Sequence, residues 1–258
     1  MEITLVSTYQ KLSEVAADYV QETMKSRAHC VLGLATGETP VGLYAQLVRR
    51  YRRREISFKN TTTFNLDEYV GLRPADESSY HYYMHRHLFR HVDMDVNKIH
   101  IPLGAAADLE GECRRYEYAI EDSGGIDLQI LGIGRNGHIG FNEPGSTCTG
   151  RTRVVQLEAS TLEANAQYFP SVQDMPHEAI SMGIGTVLEQ SRHILLLASG
   201  AAKAAAVEKM LSADETTGKL PASCLQLHPN VTCVLDYDAA ANLSDSVVRE
   251  NRVLEGGV

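Results

Sequence analysis

The run Ile126 to Ser146, IDLQILGIGRNGHIGFNEPGS, decides how this chain is read. Its first part is a mainly apolar run, broken only by Asp127 and Gln129, and reads as a buried strand. From Gly132 the run breaks into glycines, and His138 and Glu143 then stand among small residues. A buried strand that ends in this way can deliver an acid and a base to a ligand. The segment GIGRNG, with Gly132, Gly134 and Gly137, also matches the glycine fingerprint of dinucleotide sites. Such a turn should pass straight into a helix, whereas Gly140, Pro144 and Gly145 keep the following residues irregular. A tight turn around an ordinary core histidine would account for His138 alone, but His138 does not stand alone.

Similar apolar runs occur at Cys30 to Ala35, Thr61 to Leu66, His193 to Ala198 and Val231 to Leu235, and with Ile126 to Ile133 they read as buried strands. Between them Pro40 to Arg54, Ser79 to Arg90, Asp108 to Asp122, Thr161 to Tyr168 and Ala201 to Leu211 read as helices, and Glu215 to Ala222 as a loop. The alternation predicts an α/β fold with a mostly parallel sheet covered on both faces. No linker divides the chain, so a single domain over residues 1–258 is expected. In such sheets ligands collect at the carboxyl ends of the strands. Every suggestive motif here follows a strand.

The formal net charge of -9 disfavours nucleic acid or an anionic membrane surface as the main partner. An anionic small molecule remains compatible, because the field inside a pocket can oppose the net charge. The five cysteines form no C-x-x-C pair, and several sit in apolar runs like small core hydrophobes, as expected in a reducing cytosol. The N-terminus MEITLVSTYQ has no basic segment or long apolar run, and nothing reaches membrane-spanning length, so a cytoplasmic protein is expected.

The first strand ends in LATGETP, where Thr36, Gly37, Glu38 and Thr39 form a turn. Thr39 can cap the next helix, Pro40 suits its first position, and the backbone N–H groups make an anion cradle. Glu38 opposes a second anion unless it points away. The second strand ends in FNLDEYVGL, with Asp67 and Glu68 adjacent; neighbours on a strand face opposite sides, so only one can face a site. A half-buried carboxylate suits proton abstraction from carbon; a pair of surface turn carboxylates is the plainer alternative. The histidines His81, His85, His87 and His91 fall into two differently directed pairs without a completing ligand, so they read as a solvated helix and no metal site is expected. The run Arg49 to Arg54 likewise reads as a solvated helix end. Lys203 follows the strand HILLLASG at the start of a helix, where a cation opposes the helix dipole and suggests an anionic partner.

In order, LATGETP, FNLDEYVGL with SYHYYMHRHLF, LGIGRNGHIGFNEPGS, RTRVV, ANAQYF and ASGAAK resemble the glucosamine-6-phosphate deaminase family, from about Leu32 to about Asp236. The resemblance implies a Rossmann-like three-layer α/β/α sandwich and conversion of glucosamine 6-phosphate and water to fructose 6-phosphate and ammonia, formally a hydrolase reaction, within N-acetylglucosamine catabolism. It implies no cofactor. Asp67 is the implied base that passes the C2 proton to C1. His138 would open the sugar ring, and Glu143 would orient His138, a triad logic without a nucleophile. Asn136 stands where some members carry aspartate; an amide can hold His138 by hydrogen bonds but leaves it less basic.

Two departures touch the phosphate site implied by the resemblance, which includes Thr36, Gly37, Thr39 and Lys203. Glu38 replaces a small residue, and Gln167 replaces an arginine, so weakened phosphate recognition or an altered amino sugar is expected. Arg153 and Ser146 match an effector site between subunits of hexameric members, but Val155 stands where those have lysine; a homo-oligomer is left open. Competing readings are a 6-phosphogluconolactonase-like hydrolase on the same architecture and a catalytically silent sugar-phosphate sensor. The intact HIGFNEP and FNLDEYVGL blocks favour the deaminase.

Overall fold

The computed structural model describes residues 1–169, 171, 175–213, 216–244, 247 and 252–254; Glu215, at the start of the expected loop, lies outside them. In chain order the elements are β1 (Glu2–Val6), α1 (Tyr9–Ser26), β2 (Cys30–Leu34), α2 (Val41–Arg52), β3 (Thr61–Asn65), β4 (Asp67–Tyr69), α3 (Tyr80–His87), β5 (Ile99–His100) and α4 (Leu109–Asp122). They continue with β6 (Leu128–Gly132), β7 (Arg153–Gln156), α5 (Ala159–Asn165), β8 (Glu178–Ser181), α6 (Ile184–Gln190), β9 (Ile194–Ala198), α7 (Ala204–Ser212), β10 (Val231–Asp236) and β11 (Arg252–Leu254). All five expected strands form. The structure adds β1 and α1 ahead of them, where a short apolar run ITLV is followed by an amphipathic segment capped by Thr8.

Eight strands form one sheet in the order β11-β1-β10-β9-β6-β2-β3-β5, and every pairing in it is parallel. Alternate residues of each strand enter opposite cores. Leu131, Leu196 and Leu235 pack with Tyr116 and Ile120 of α4, Val187 of α6 and Val207 and Met210 of α7. Leu32, Leu34, Ile130 and Leu197 pack with Leu12 and Val15 of α1, Leu43 and Leu47 of α2 and Met84 of α3. The result is the three-layer α/β/α sandwich, with continuous apolar strands because neither face meets water. A small antiparallel sheet, β4-β8-β7, stands beyond the carboxyl edge over a minor core of Tyr69, Phe141 and Leu157.

Chain order runs outward from the sheet centre in both directions, through β2, β3 and β5 on one side and through β6, β9 and β10 on the other. The direction therefore switches between β2 and β6, and a crevice opens there at the carboxyl ends. The turns after β2, β3, β6 and β9 carry Glu38, Asp67, His138 and Lys203 to this edge.

Two local expectations are corrected. Helix α2 begins at Val41 behind Pro40 with no side-chain cap, so Thr39 does not cap it; the turn is held instead by Tyr9, whose hydroxyl contacts the Glu38 and Thr39 carbonyls. Cys148 and Cys224, 76 residues apart in sequence, form a disulfide, against the expectation of cysteines acting only as small hydrophobes. Only the tertiary fold brings that pair together. Cys30, Cys113 and Cys233 are free and buried. Among the described residues no helix is long and apolar enough to cross a membrane.

Candidate active site

Asp67 opens β4 and pairs in register with Ser181 of β8. It is 4% exposed, and burial, reinforced by the neighbouring Glu68 charge, pushes its carboxyl up to about 8. Its neighbour points elsewhere: Glu68 accepts from the backbone N–H groups of Tyr69, Tyr80 and His81 and meets His81 Nδ1 at 2.8 Å. Glu68 thus ties down the first turn of α3, and Asp67 alone is available to a ligand. The two carboxylates divide because successive strand residues face opposite sides.

Gly140 lies against Asp67; a Cβ there would approach Asp67 Oδ2 to 3.1 Å, so the loop that follows His138 reaches the Asp67 carboxyl through a glycine. Gly134 does the same for the histidine. A Cβ on Gly134 would fall 2.3 to 2.5 Å from three atoms of the imidazole, so the ring lies flat on bare backbone. The glycine pattern that mimics a dinucleotide turn serves His138, and no helix follows β6 to receive a pyrophosphate.

His138 Nδ1 lies 3.3 Å from Glu143 Oε2, without the alignment of a well-directed hydrogen bond. Such contacts tighten when substrate fills a site. Glu143 is 6% exposed. Burial raises its carboxyl, yet His138, a hydrogen bond from Thr161 Oγ1 and one from Asn136 Nδ2 together outweigh burial and hold it below its ordinary range. Asn136 donates to Glu143 at 2.7 Å and accepts the His138 backbone N–H at 3.1 Å. The amide therefore holds His138, as expected, through its backbone N–H, and it holds Glu143 as well. Thr161, on α5, belongs to this constellation and has no motif around it in the sequence.

The remaining expected residues gather one turn away. Thr36, Gly37, Glu38 and Thr39 form the turn after β2, with Gly37 at φ 93° and its carbonyl accepting from Tyr83 Oη. Glu38 Oε1 accepts from Tyr168 Oη at 3.1 Å. Gln167 is exposed on the same short turn as Tyr168, Ala166–Tyr168. Lys203 caps α7, and burial first, then the charge of Arg135, lower its pKa while Glu38 opposes the shift. Arg135 is a member of this cluster that motif reading overlooks. Arg153 donates to Asn142 Oδ1 at 2.9 Å and Ser146 Oγ at 3.3 Å, within the chain. Among the described residues no group of three His, Cys, Asp or Glu could hold a metal. An open surface cavity of about 690 Å³, lined by Tyr51, Arg52, Arg54 and Lys59 among others, lies at the end of α2 and shares no residue with this cluster.

A buried carboxylate with a raised pKa, reached through Gly140 by the loop that also carries a histidine–glutamate pair, is the equipment of an enzyme that moves protons without a covalent intermediate. Residues 5–234 match the family model described as glucosamine-6-phosphate isomerases/6-phosphogluconolactonase, and the chain belongs to that family. It is 51% identical over 245 residues to a glucosamine-6-phosphate deaminase of Geobacillus sp. (strain WCH70), covering 95% of this chain and 97% of that one. Identity is also 51% over 247 residues to glucosamine-6-phosphate deaminase 2 of Bacillus subtilis (strain 168), with 95% and 99% covered. A solved structure described as a monomeric glucosamine-6-phosphate deaminase superposes with a TM-score of 0.91 at 49% identity, covering 93% of this chain and 99% of that one.

Proposed function

We propose that this protein is a glucosamine-6-phosphate deaminase, forming fructose 6-phosphate and ammonia from glucosamine 6-phosphate and water. The observation that carries the reading is Asp67: a carboxyl pushed up to about 8, reached through Gly140 by the loop that carries the histidine–glutamate pair, in a chain about half identical to deaminases. His138 takes the proton of the anomeric hydroxyl and returns one to the ring oxygen, which opens the sugar. Glu143, kept ionised by Thr161 and Asn136, favours the proton-bearing imidazole as this happens. Asp67 then removes the C2 proton and delivers it to C1, converting the aldose amine to an enolamine and then to a C2 imine. Water adds to that carbon and ammonia leaves. Burial suits Asp67 to this task, since a base with a raised pKa accepts a proton from carbon more readily.

The chemistry is an isomerising deamination; water enters only after proton transfer, and isomerase/deaminase describes it better than hydrolase. Residues 1–258 are read as one domain that carries Asp67, His138 and Glu143 together. A cytoplasmic role in breaking down N-acetylglucosamine, after its deacetylation, fits this substrate. The lactonase, sensor and altered-sugar readings are not favoured beside deaminase relatives of this similarity. The test is ammonia release from glucosamine 6-phosphate and from glucosamine, with hydrolysis of 6-phosphogluconolactone alongside. Release from the phosphorylated amino sugar without lactone hydrolysis is expected; lactone hydrolysis alone would reverse the assignment.

A further inference from the structure

Strands β9, β6 and β2 are adjacent in the sheet, so the turns at their carboxyl ends carry Lys203, Arg135 and Glu38 to neighbouring places, with Arg135 on the turn after the middle strand. Neither cation has an ion-pair partner among the described residues. Lys203 is partly buried and feels the charge of Arg135 at close enough range to lower its own pKa. Two cations held together, one of them partly withdrawn from water, repel each other unless an anion lies between them. Among the described residues the opposing charge that reaches Lys203 is Glu38, which also accepts from the Tyr168 hydroxyl. Two positive charges against one negative leave this corner net positive.

We propose that Arg135 binds the 6-phosphate of the substrate together with Lys203, supplying the guanidinium that Gln167 does not. This rests on the deaminase reading and deepens it. Arg135 stands on the turn between β6 and His138, so a phosphate held there would fix the far end of the sugar while His138 and Asp67 work on C1 and C2. A guanidinium offers a phosphate two parallel N–H donors, which an amide at Gln167 cannot match. The expectation of weakened phosphate recognition, drawn from Glu38 and Gln167 with Lys203 as the lone cation, omits this charge.

The test compares wild type with Arg135→Gln and Arg135→Lys. Ammonia release gives kcat and KM for glucosamine 6-phosphate and for glucosamine, and thermal shift with inorganic phosphate gives anion binding independently of turnover. Loss of a charge-assisted contact predicts that Arg135→Gln raises KM for glucosamine 6-phosphate by about 10- to 100-fold, with Arg135→Lys intermediate. Its loss in kcat/KM should be at least about tenfold greater for the phosphorylated sugar, and the phosphate-induced rise in Tm should disappear. A KM within about twofold of wild type, or an equal loss on both sugars, would overturn the proposal. If wild type released ammonia from neither sugar, the deaminase reading would fail. The phosphate-dependent Tm of the two variants would then still decide for or against Arg135.

Discussion

Replacing Asp67 by asparagine should abolish catalysis and stabilise the fold, and the stabilisation should grow with pH. In the unfolded chain this carboxyl ionises near 3.8, and in the folded protein near 8. Between those values the folded state holds a proton that the unfolded chain has lost, so stability falls as pH rises through that window. At about 1.4 kcal/mol per pH unit the ceiling is about 6 kcal/mol. Water drawn to the carboxylate as it ionises reduces the penalty, and we expect Asp67→Asn to gain about 2 kcal/mol at pH 8 and less than about 1 kcal/mol at pH 5. For a chain of this size that is a rise in Tm of roughly 4 to 6 °C at the higher pH. Urea or thermal melts of both proteins from pH 5 to 9 measure it. A variant that is less stable than wild type at pH 8, or whose advantage does not change with pH, would refute the reasoning. The same carboxyl must be ionised to act as a base, so kcat/KM of wild type should climb as pH rises toward 8.

Gly134→Ala places a methyl group inside the imidazole of His138 and should lower kcat at least about 100-fold while the protein stays folded, as judged by circular dichroism and turnover. Thr161→Val removes one of the donors that hold Glu143 ionised. The Glu143 pKa should rise toward its ordinary value, with about a tenfold loss in kcat/KM and the limb toward pH 8, which Asp67 sets, unmoved. The stability that Glu143 contributes, present above its unfolded pKa and lost as pH falls through the depressed one, should shrink in that variant. Under oxidising conditions Cys148→Ser should lose about 4 kcal/mol by the loop-entropy argument for a 76-residue separation, and a reductant should bring wild type to the same melting point.

The fold was largely legible because five short, mainly apolar runs alternate with helix-like segments, the pattern of a sheet covered on both faces. Strand β3 gave itself away by its end: FNLDEY places two carboxylates where burial would be costly unless each has a use. His138 and Glu143 were visible for the same reason, as polar residues embedded among glycines. Thr161 was not, because its partner Glu143 lies 18 residues away and the segment between reads as an ordinary turn and helix. The bond from Asn136 to His138 was anticipated, while its second bond, to Glu143, was not, since sequence gives proximity and not which atoms an amide meets. Arg135 was hidden for a different reason: inside a glycine motif it reads as a spacer, and only the adjacency of β6 and β9 brings it to Lys203. The Cys148–Cys224 pair shows the same limit, since contacts between distant segments leave no local pattern.

The most direct test of the central claim is the product balance of the purified protein and its Asp67→Asn variant on glucosamine 6-phosphate. Wild type should form ammonia and fructose 6-phosphate in equal amounts, and the variant should form both at least about 1,000-fold more slowly. Ammonia without the ketose phosphate, or a variant rate within about tenfold of wild type, would contradict the assignment of Asp67 as the base that moves the C2 proton.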